Sequence, residues 1–169
     1  SGNGTSIDMR VMIHKIHDAA HLPSVLGIAT NGDGTRNYAA TPTPYVLVTG
    51  AGDPDDLSFI NFPVWPSLSF APPRDFGYSA LTSGQKTQAD NARKGVIRCE
   101  RCHGDPDGSG PLTAPAQGDI RNSQPSRRAC GSCHDDVDFT VPYANNQLEM
   151  PPQPDDSACL TCHAPSGAA

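Results

Sequence analysis

Three copies of one short cysteine–histidine motif constrain this chain more than any other feature of its sequence. The chain has 169 residues and six cysteines, and every cysteine belongs to a C-x-x-C-H sequence. The copies read CERCH, CGSCH and CLTCH, and they occupy residues 99–103, 130–134 and 159–163. C-x-x-C-H is the attachment sequence of c-type haem. We therefore predict three covalently bound haem c groups, one at each copy of the motif.

Each residue type in the motif has its own part in holding a haem. The two thiols form thioether bonds to the porphyrin, and the histidine that follows becomes the proximal axial ligand of the iron. The predicted thioether residues are Cys99, Cys102, Cys130, Cys133, Cys159 and Cys162. The predicted proximal ligands are His103, His134 and His163.

Zinc sites and disulfides are the alternative explanations for paired cysteines. Zinc knuckles also use C-x-x-C pairs, but they do not need a histidine after each pair. Six thiolates and three histidines also divide poorly into four-ligand sites. Disulfides need no histidine at all, so three complete motifs favour haem c over both alternatives.

The composition predicts a chain with few regular elements. It includes 16 glycines and 17 prolines, and only 36% of the residues are hydrophobic. Such a composition favours turns and leaves a thin core of side chains. We predict a mostly irregular, loop-rich multihaem cytochrome c with a few short helices and a small β element, in which the haems form the core.

The haem motifs divide the chain into two regions. Residues 99–169 form the predicted trihaem-binding region, where the motifs begin 31 and then 29 residues apart. Residues 1–98 contain no haem motif and form an N-terminal region. There, a capping-box pattern predicts a helix at about 6–21 with Thr5 as its N-cap. Further elements are predicted as strands at 45–50 and 57–65 and a short helix at 85–98.

The predicted helix at 6–21 contains every histidine that the haem motifs leave unassigned. His14, His17 and His21 project from one face of a helix that turns about 100° per residue. Three haems need three distal ligands, and neutral imidazole binds iron well. We therefore predict these three histidines as the distal ligands, which makes all three irons bis-histidine and low-spin.

Other distal ligands remain open at this point. Met150, in the sequence LEMPPQ, is an alternative, because methionine also ligates haem iron in small cytochromes c. The predicted helix lies about 80 residues from the nearest haem motif. The sequence therefore leaves open whether these histidines ligate a haem of their own chain or a haem of a neighbouring copy.

Four segments resemble the outer-surface decahaem cytochromes of metal-reducing bacteria, the OmcA/MtrC family. They read SIDMRVMIHKIH, YVLVTGAGDPDDLSFINFP, CGSCHDDVDF and PDDSACLTCH, at residues 6–17, 45–63, 130–139 and 154–163. The resemblance implies that His14 and His17 are distal haem ligands, and that the chain is a short, trihaem relative or module. The chain departs from the family in its length, in its haem number and in lacking a histidine after CHDDVDF.

Haem c and the family resemblance together imply a location outside the cytoplasmic membrane of a prokaryote. We expect an extracellular or cell-surface protein, with the periplasm as the alternative. The sequence begins SGNGTS and shows no secretion signal, so we expect a processed chain or part of a longer one. No apolar run is long enough to span a membrane.

The charge pattern excludes one class of partner. The net charge is −6 and the 12 Lys and Arg residues are scattered, which excludes a nucleic-acid partner. Three acidic pairs are expected to be solvated or to cap helices. They are Asp55–Asp56, Asp135–Asp136 and Asp155–Asp156.

These observations predict an electron carrier and not an enzyme, because iron with two histidine ligands offers no position for a substrate. The expected partners are redox proteins or extracellular acceptors. One interpretation is that copies self-associate, with haem stacking or cross-chain histidine ligation that builds a filament; the alternatives are a soluble shuttle and a module of a larger cytochrome. The alternative from another class is a multihaem reductase, in which one iron keeps an open coordination position.

Overall fold

The structure, a computed structural model, describes six stretches of the chain. These stretches are residues 8–48, 52–60, 77–95, 99–105, 113–145 and 148–159. Their α-helices are 4 to 10 residues long and their strands are two or three residues long. Turns and irregular chain join them, which confirms the predicted loop-rich fold with a few short helices and a small β component.

The regular elements alternate along the chain. In the described residues the α-helices are Met9–Asp18 (α1), Ser83–Ala92 (α2), Glu100–His103 (α3), Ile120–Ser123 (α4) and Arg127–Cys133 (α5). The strands are Ala29–Thr30 (β1), Arg36–Asn37 (β2), Val46–Val48 (β3), Pro54–Asp56 (β4), Tyr143–Asn145 (β5) and Leu148–Met150 (β6). Consecutive strands pair into antiparallel hairpins, β1 with β2, β3 with β4 and β5 with β6.

Helix α1 begins three residues later than the sequence predicts. Asp8 is the N-cap, because its backbone is extended and its Oδ1 accepts a hydrogen bond of 3.0 Å from the Arg10 amide. The predicted cap, Thr5, lies outside the described residues. After Asp18 the helix tightens into a 3₁₀ turn over Ala19–His21, and it ends before Pro23 as predicted.

Helix α2 confirms the predicted helix at 85–98 in part and corrects its boundaries. Thr82 and Gln85 form a reciprocal capping box, which satisfies two backbone donors and starts the helix at Ser83. The helix ends at Ala92, and residues 96–98 lie outside the described part of the chain.

The first predicted strand is confirmed, and the described part of the second is wrong. Strand β3 lies within residues 45–50 and pairs with Pro54–Asp56, which precede the second predicted strand. Asp56 Oδ1 accepts a hydrogen bond of 2.9 Å from the Ser58 amide, and this local turn ends the strand. Residues 57–60 therefore form a turn, and residues 61–65 lie outside the described chain.

Side chains form two small apolar clusters. Ala19, Leu22 and Tyr45 are buried between the end of α1 and strand β3. Ile28, Tyr38 and Ala89 are buried where the β1–β2 hairpin meets α2. Among the described residues, each cluster contains three buried apolar side chains. Among the described residues, no helix is long and apolar enough to cross a membrane.

Candidate functional site

The helix with the predicted distal ligands packs directly against the second haem motif. Helix α1 lies along α5, whose last turns carry Cys130 and Cys133. The Sγ atom of Cys133 is 4.0 Å from the backbone carbonyl of His14. At the other end of the contact, Arg128 donates a hydrogen bond of 3.0 Å to the Asp8 carboxylate. The tertiary fold thus brings these two parts of the site together across more than a hundred residues.

His14 also faces the histidine of the first haem motif. The ring centroids of His14 and His103 are 6.2 Å apart, and the ring planes differ by 21°. Metal–imidazole bonds are about 2.0–2.1 Å long, so two imidazoles on opposite sides of one metal have centroids about 6 Å apart. The centroid distance of this pair is close to the distance that two imidazoles on one shared iron would have.

In all three histidines of the N-terminal region, Nδ1 forms a hydrogen bond with a backbone carbonyl. The pairs are His14 with Arg10 at 2.6 Å, His17 with Ile13 at 2.7 Å and His21 with Asn91 at 2.9 Å. A carbonyl oxygen only accepts hydrogen bonds, so Nδ1 donates in each pair and Nε2 is the ring nitrogen left for another partner. Metal-ligating histidines are oriented in this way, with one ring nitrogen bonded to the protein and the other on the metal.

His21 has a buried nitrogen that lacks a partner. Among the described residues, its Nε2 is shielded from solvent and makes no hydrogen bond. The chain after α2 covers this side chain, because a Cβ atom at Gly95 would lie 3.1 Å from His21 Cβ and would collide with Asp18. An unsatisfied buried acceptor is costly, and a bound metal ion would remove that cost.

The surroundings of His103 favour its neutral, ligating form. Burial lowers the pKa of His103, and the nearby His14 and Arg121 lower it further, while a backbone hydrogen bond with Gly118 opposes them. Gln117, the residue before Gly118, has a left-handed backbone conformation with φ of 64°. Neutral imidazole is the form that binds metal.

The thiols of the three motifs converge on α5. Burial raises the pKa of Cys130, and the neighbouring Cys99 and Cys159 raise it further. Burial also raises the pKa of Cys133 far above its ordinary value. The five cysteines in the described chain form no disulfide. The remaining predicted site residues of the third motif, Cys162 and His163, lie outside the described residues.

A pair of opposite charges joins the second and third motifs. The backbone amide and Nε of Arg127, at the start of α5, each donate to Asp156 Oδ1 at 3.0 Å. Asp156 lies three residues before Cys159. Asp156 therefore accepts a hydrogen bond from the first turn of α5. This contact holds the segment just before the third motif beside the second motif.

The acidic pair that follows the second motif departs from the prediction, because it is neither solvated nor a helix cap. Asp135 accepts hydrogen bonds from Lys15 Nζ at 2.7 Å and from Ser24 Oγ at 2.6 Å. Asp136 lies 3.1 Å from Arg36 Nε, and burial raises its pKa although Arg36 acts in the opposite direction. These partners lie about a hundred residues away in sequence, so no local spacing rule identifies them.

The described residues meet several requirements of haem c. Cysteines of the three motifs lie near one another, and the rings of His14 and His103, a predicted distal and a predicted proximal ligand, have centroids 6.2 Å apart. Among the described residues, His21 offers a buried nitrogen without a hydrogen-bond partner. The alternative ligand Met150 lies at the end of β6, where its backbone pairs with Tyr143.

Comparison with known proteins adds little to this picture. No protein-family model and no curated protein matches the chain. Among solved structures, the crystal structure of the outer membrane decaheme cytochrome OmcA is similar over 78% of this chain, at 23% sequence identity and a TM-score of 0.42. The chain spans only 13% of that protein. A TM-score below 0.5 carries no argument, so the function is inferred from the motifs and the geometry.

Proposed function

We propose that this chain is a trihaem c-type cytochrome that carries electrons through bis-histidine, low-spin haems. The observation that carries the proposal is the distance of 6.2 Å between the rings of His14 and His103. One of these residues belongs to a C-x-x-C-H motif and the other to the helix that holds the unassigned histidines. Their spacing supports a shared iron with His103 as the proximal ligand and His14 as the distal ligand.

The roles of the chain's residues follow from their chemistry. The cysteine pairs hold the porphyrins through thioethers, and His103, His134 and His163 bind the irons from the proximal side. His17 and His21 are the proposed distal ligands of the two haems that His14 does not serve. Each bound haem c supplies an iron that takes up and releases one electron. Two histidines on every iron exclude substrates, so we propose a carrier and not an enzyme.

Backbone hydrogen bonds support this assignment. A distal histidine must hold its ring toward the iron, and an Nδ1–carbonyl hydrogen bond limits rotation of the ring. His14, His17 and His21 all have such a bond. The peptide carbonyls of α1 and α2 therefore orient the proposed ligands.

The proposed setting is extracellular electron transfer at the surface of a prokaryotic cell, with redox proteins or extracellular acceptors as partners. The resemblance to the outer-surface decahaem cytochromes supports this setting. Assembly of copies into a filament is the further part of the proposal. The His14–His103 spacing supports ligation within one chain for the first haem, so cross-chain ligation would involve His17 or His21.

Haem content and molar mass test the proposal on a single preparation. We expect the mass of the denatured chain to include three haem groups, and the variant Cys130→Ala/Cys133→Ala to carry two. Ser132→Ala, within the same motif, is the control and should keep three. A wild-type chain without covalent haem would refute the proposal.

Light scattering of the native protein tests assembly, because a monomer with three six-coordinate irons would exclude the filament.

A further inference from the structure

We propose that Asp135 is a positioning residue that fixes helix α1 against the second haem motif and so controls how firmly the distal histidines stay on their irons. The inference rests on the proposed function, because it assumes that α1 supplies axial ligands. It assigns a role to a carboxylate that the haem motifs themselves do not explain.

Asp135 joins three parts of the chain through one side chain. It directly follows His134, a proposed proximal ligand. Its Oδ2 accepts from Lys15 Nζ at 2.7 Å and from Ser24 Oγ at 2.6 Å, and its Oδ1 accepts from the Ser24 amide at 2.9 Å. We call these three residues, Asp135, Lys15 and Ser24, the Asp135 cluster.

The location of Lys15 makes the cluster relevant to ligation. Lys15 lies on α1 between His14 and His17, so the helix cannot shift without moving both imidazoles. Ser24 lies just beyond the end of that helix, where the chain turns after Pro23. The Asp135 carboxylate therefore holds α1 at Lys15, between His14 and His17. It also holds the chain that follows the helix, at Ser24.

Burial makes these contacts strong enough to matter. The side chain of Asp135 is 7% exposed and that of Lys15 is 19% exposed. Ion pairs on the open surface contribute little to stability, whereas removal of one partner from a shielded pair leaves the other without compensation. Charge-assisted hydrogen bonds are also stronger than neutral ones, and Asp135 accepts one from Lys15.

Neighbouring groups leave the cluster intact. The next carboxylate, Asp136, lies beside Arg36 and does not compete for Lys15. The Lys15 ammonium also lies 5.7 Å from the centre of the Tyr45 ring, a cation–π contact that favours the same position. Tyr45 belongs to the apolar cluster at the end of α1, so the charge cluster and the apolar cluster hold the same helix.

The chain offers a matched control within the same segment. Asp138 lies three residues after Asp135, but its Oδ1 accepts from its near neighbour Thr140, at 2.9 Å from the amide and 2.6 Å from Oγ1. Asp138→Asn therefore removes the same charge without disturbing contacts between α1 and the second motif.

Carbon monoxide binding to the reduced protein measures the proposed role. Carbon monoxide reaches an iron only after a distal histidine has left it, so the rate of its fastest binding phase reports how firmly α1 is held. We expect Asp135→Asn and Lys15→Met each to raise this rate about tenfold, the factor that about 1.4 kcal/mol of lost interaction produces. Asp138→Asn should match wild type.

Further variants separate positioning from general loss of structure. Lys15→Arg keeps the cation and should stay closer to the wild-type rate than Lys15→Met. The double variant Lys15→Met/Asp135→Asn should be no faster than Asp135→Asn alone, because the two residues share one interaction. Ser24→Ala keeps the ion pair and loses one hydrogen bond, so it should show a smaller increase. If the ion-pair variants fail to take up haem, Ser24→Ala decides the question.

The outcomes distinguish this inference from the proposed function. A wild-type protein without covalent haem would refute the function itself. A wild-type protein with three low-spin haems, together with variants that bind carbon monoxide at the Asp138→Asn rate, would overturn only the role of Asp135.

Discussion

At the scale of single residues, the proposed ligands depend on backbone atoms for their orientation. The Nδ1 atoms of the three N-terminal histidines bond to carbonyls, and Gly118 bonds through its backbone to His103. Helical i,i+4 geometry explains the bonds of His14 and His17, because each carbonyl belongs to the residue one turn earlier. The bond of His21 to Asn91 is different, since it spans 70 residues and depends on the tertiary fold.

Gln117, the residue before Gly118, provides a test of backbone strain at this point of the fold. Its φ of 64° is strained for any residue with a side chain, whereas glycine adopts it freely. Gln124, with φ of −143°, is the matched control, because its replacement by glycine changes the unfolded chain in the same way. We expect Gln117→Gly to be more stable than Gln124→Gly by about 1 kcal/mol.

Denaturant unfolding of the two glycine variants measures this difference. Equal free energies of unfolding would contradict the strain at Gln117. A change in the redox potential of one haem in Gln117→Gly alone would show in addition that the conformation of this residue affects the proposed ligand His103.

The sequence was sufficient to predict the residues that local spacing identifies. The C-x-x-C-H motifs are contiguous, and the three histidines recur at helical intervals, so both patterns are visible without a fold. Asp135 and Asp136 were predicted wrongly as solvated or capping residues. Their partners Lys15 and Arg36 lie about a hundred residues away, and nothing in the local sequence distinguishes this pair from a solvated one.

At the scale of elements, the N-terminus of α1 combines a cap with two ion pairs. Asp8 caps the helix and lies 3.1 Å from Arg10 Nη2 and 3.0 Å from Arg128 Nη1. Hydrogen bonds from these two arginines lower the pKa of Asp8 well below its ordinary value. Because Arg128 belongs to α5, the carboxylate stabilises both the helix start and the contact between α1 and α5.

Removal of the Asp8 charge should reduce stability in a pH-dependent way. Asn is as good a cap as Asp, so Asp8→Asn removes the ion pairs and keeps the cap. A lowered folded-state pKa stabilises the fold above the unfolded value of about 3.9, and the contribution is lost as the pH falls toward the folded value. We expect a lower melting temperature for Asp8→Asn from pH 8 to 5, and a shrinking difference below about pH 4.

Thermal unfolding followed by circular dichroism across this pH range checks the prediction. Asp55→Asn, on the exposed strand β4, removes the same formal charge and serves as the control. A difference between Asp8→Asn and wild type that is equally large at pH 3 would contradict a charge effect.

Element types were more predictable than element boundaries. Apolar spacing predicted α1, and the Pro23 rule placed its end correctly. The predicted start of α1 is wrong, because Asp8 is the N-cap of the helix and not the capping-box partner of Thr5. In the described part of LSFINFPVW, residues 57–60, the predicted strand is a turn, in which the Ser58 amide donates a hydrogen bond to Asp56 Oδ1.

At the scale of the whole molecule, the described side chains form only small apolar clusters. Two clusters with three buried apolar residues each are described, and large side chains such as Met9 and Phe59 are exposed. Many of the remaining links between segments are polar, such as Lys15 with Asp135 and Arg127 with Asp156. Prosthetic groups in the interior would supply the apolar surface that such a chain lacks.

The composition predicted this sparse core, whereas the arrangement of the motifs around α5 was not predictable. Gly and Pro content is a global property that limits regular structure whatever the topology. The approach of Cys99 and Cys159 to Cys130 depends on loops of about 30 residues, whose path no periodic pattern specifies.

Electron paramagnetic resonance of the oxidised protein tests the central claim most directly. Three bis-histidine irons give low-spin signals only, and His14→Ala should convert one of the three to high spin while Met9→Leu, on the same helix, should not. A high-spin signal near one iron per chain in the wild type would contradict full bis-histidine ligation and favour a reductase with an open haem. A His14→Ala spectrum identical to that of wild type would contradict the pairing of His14 with His103.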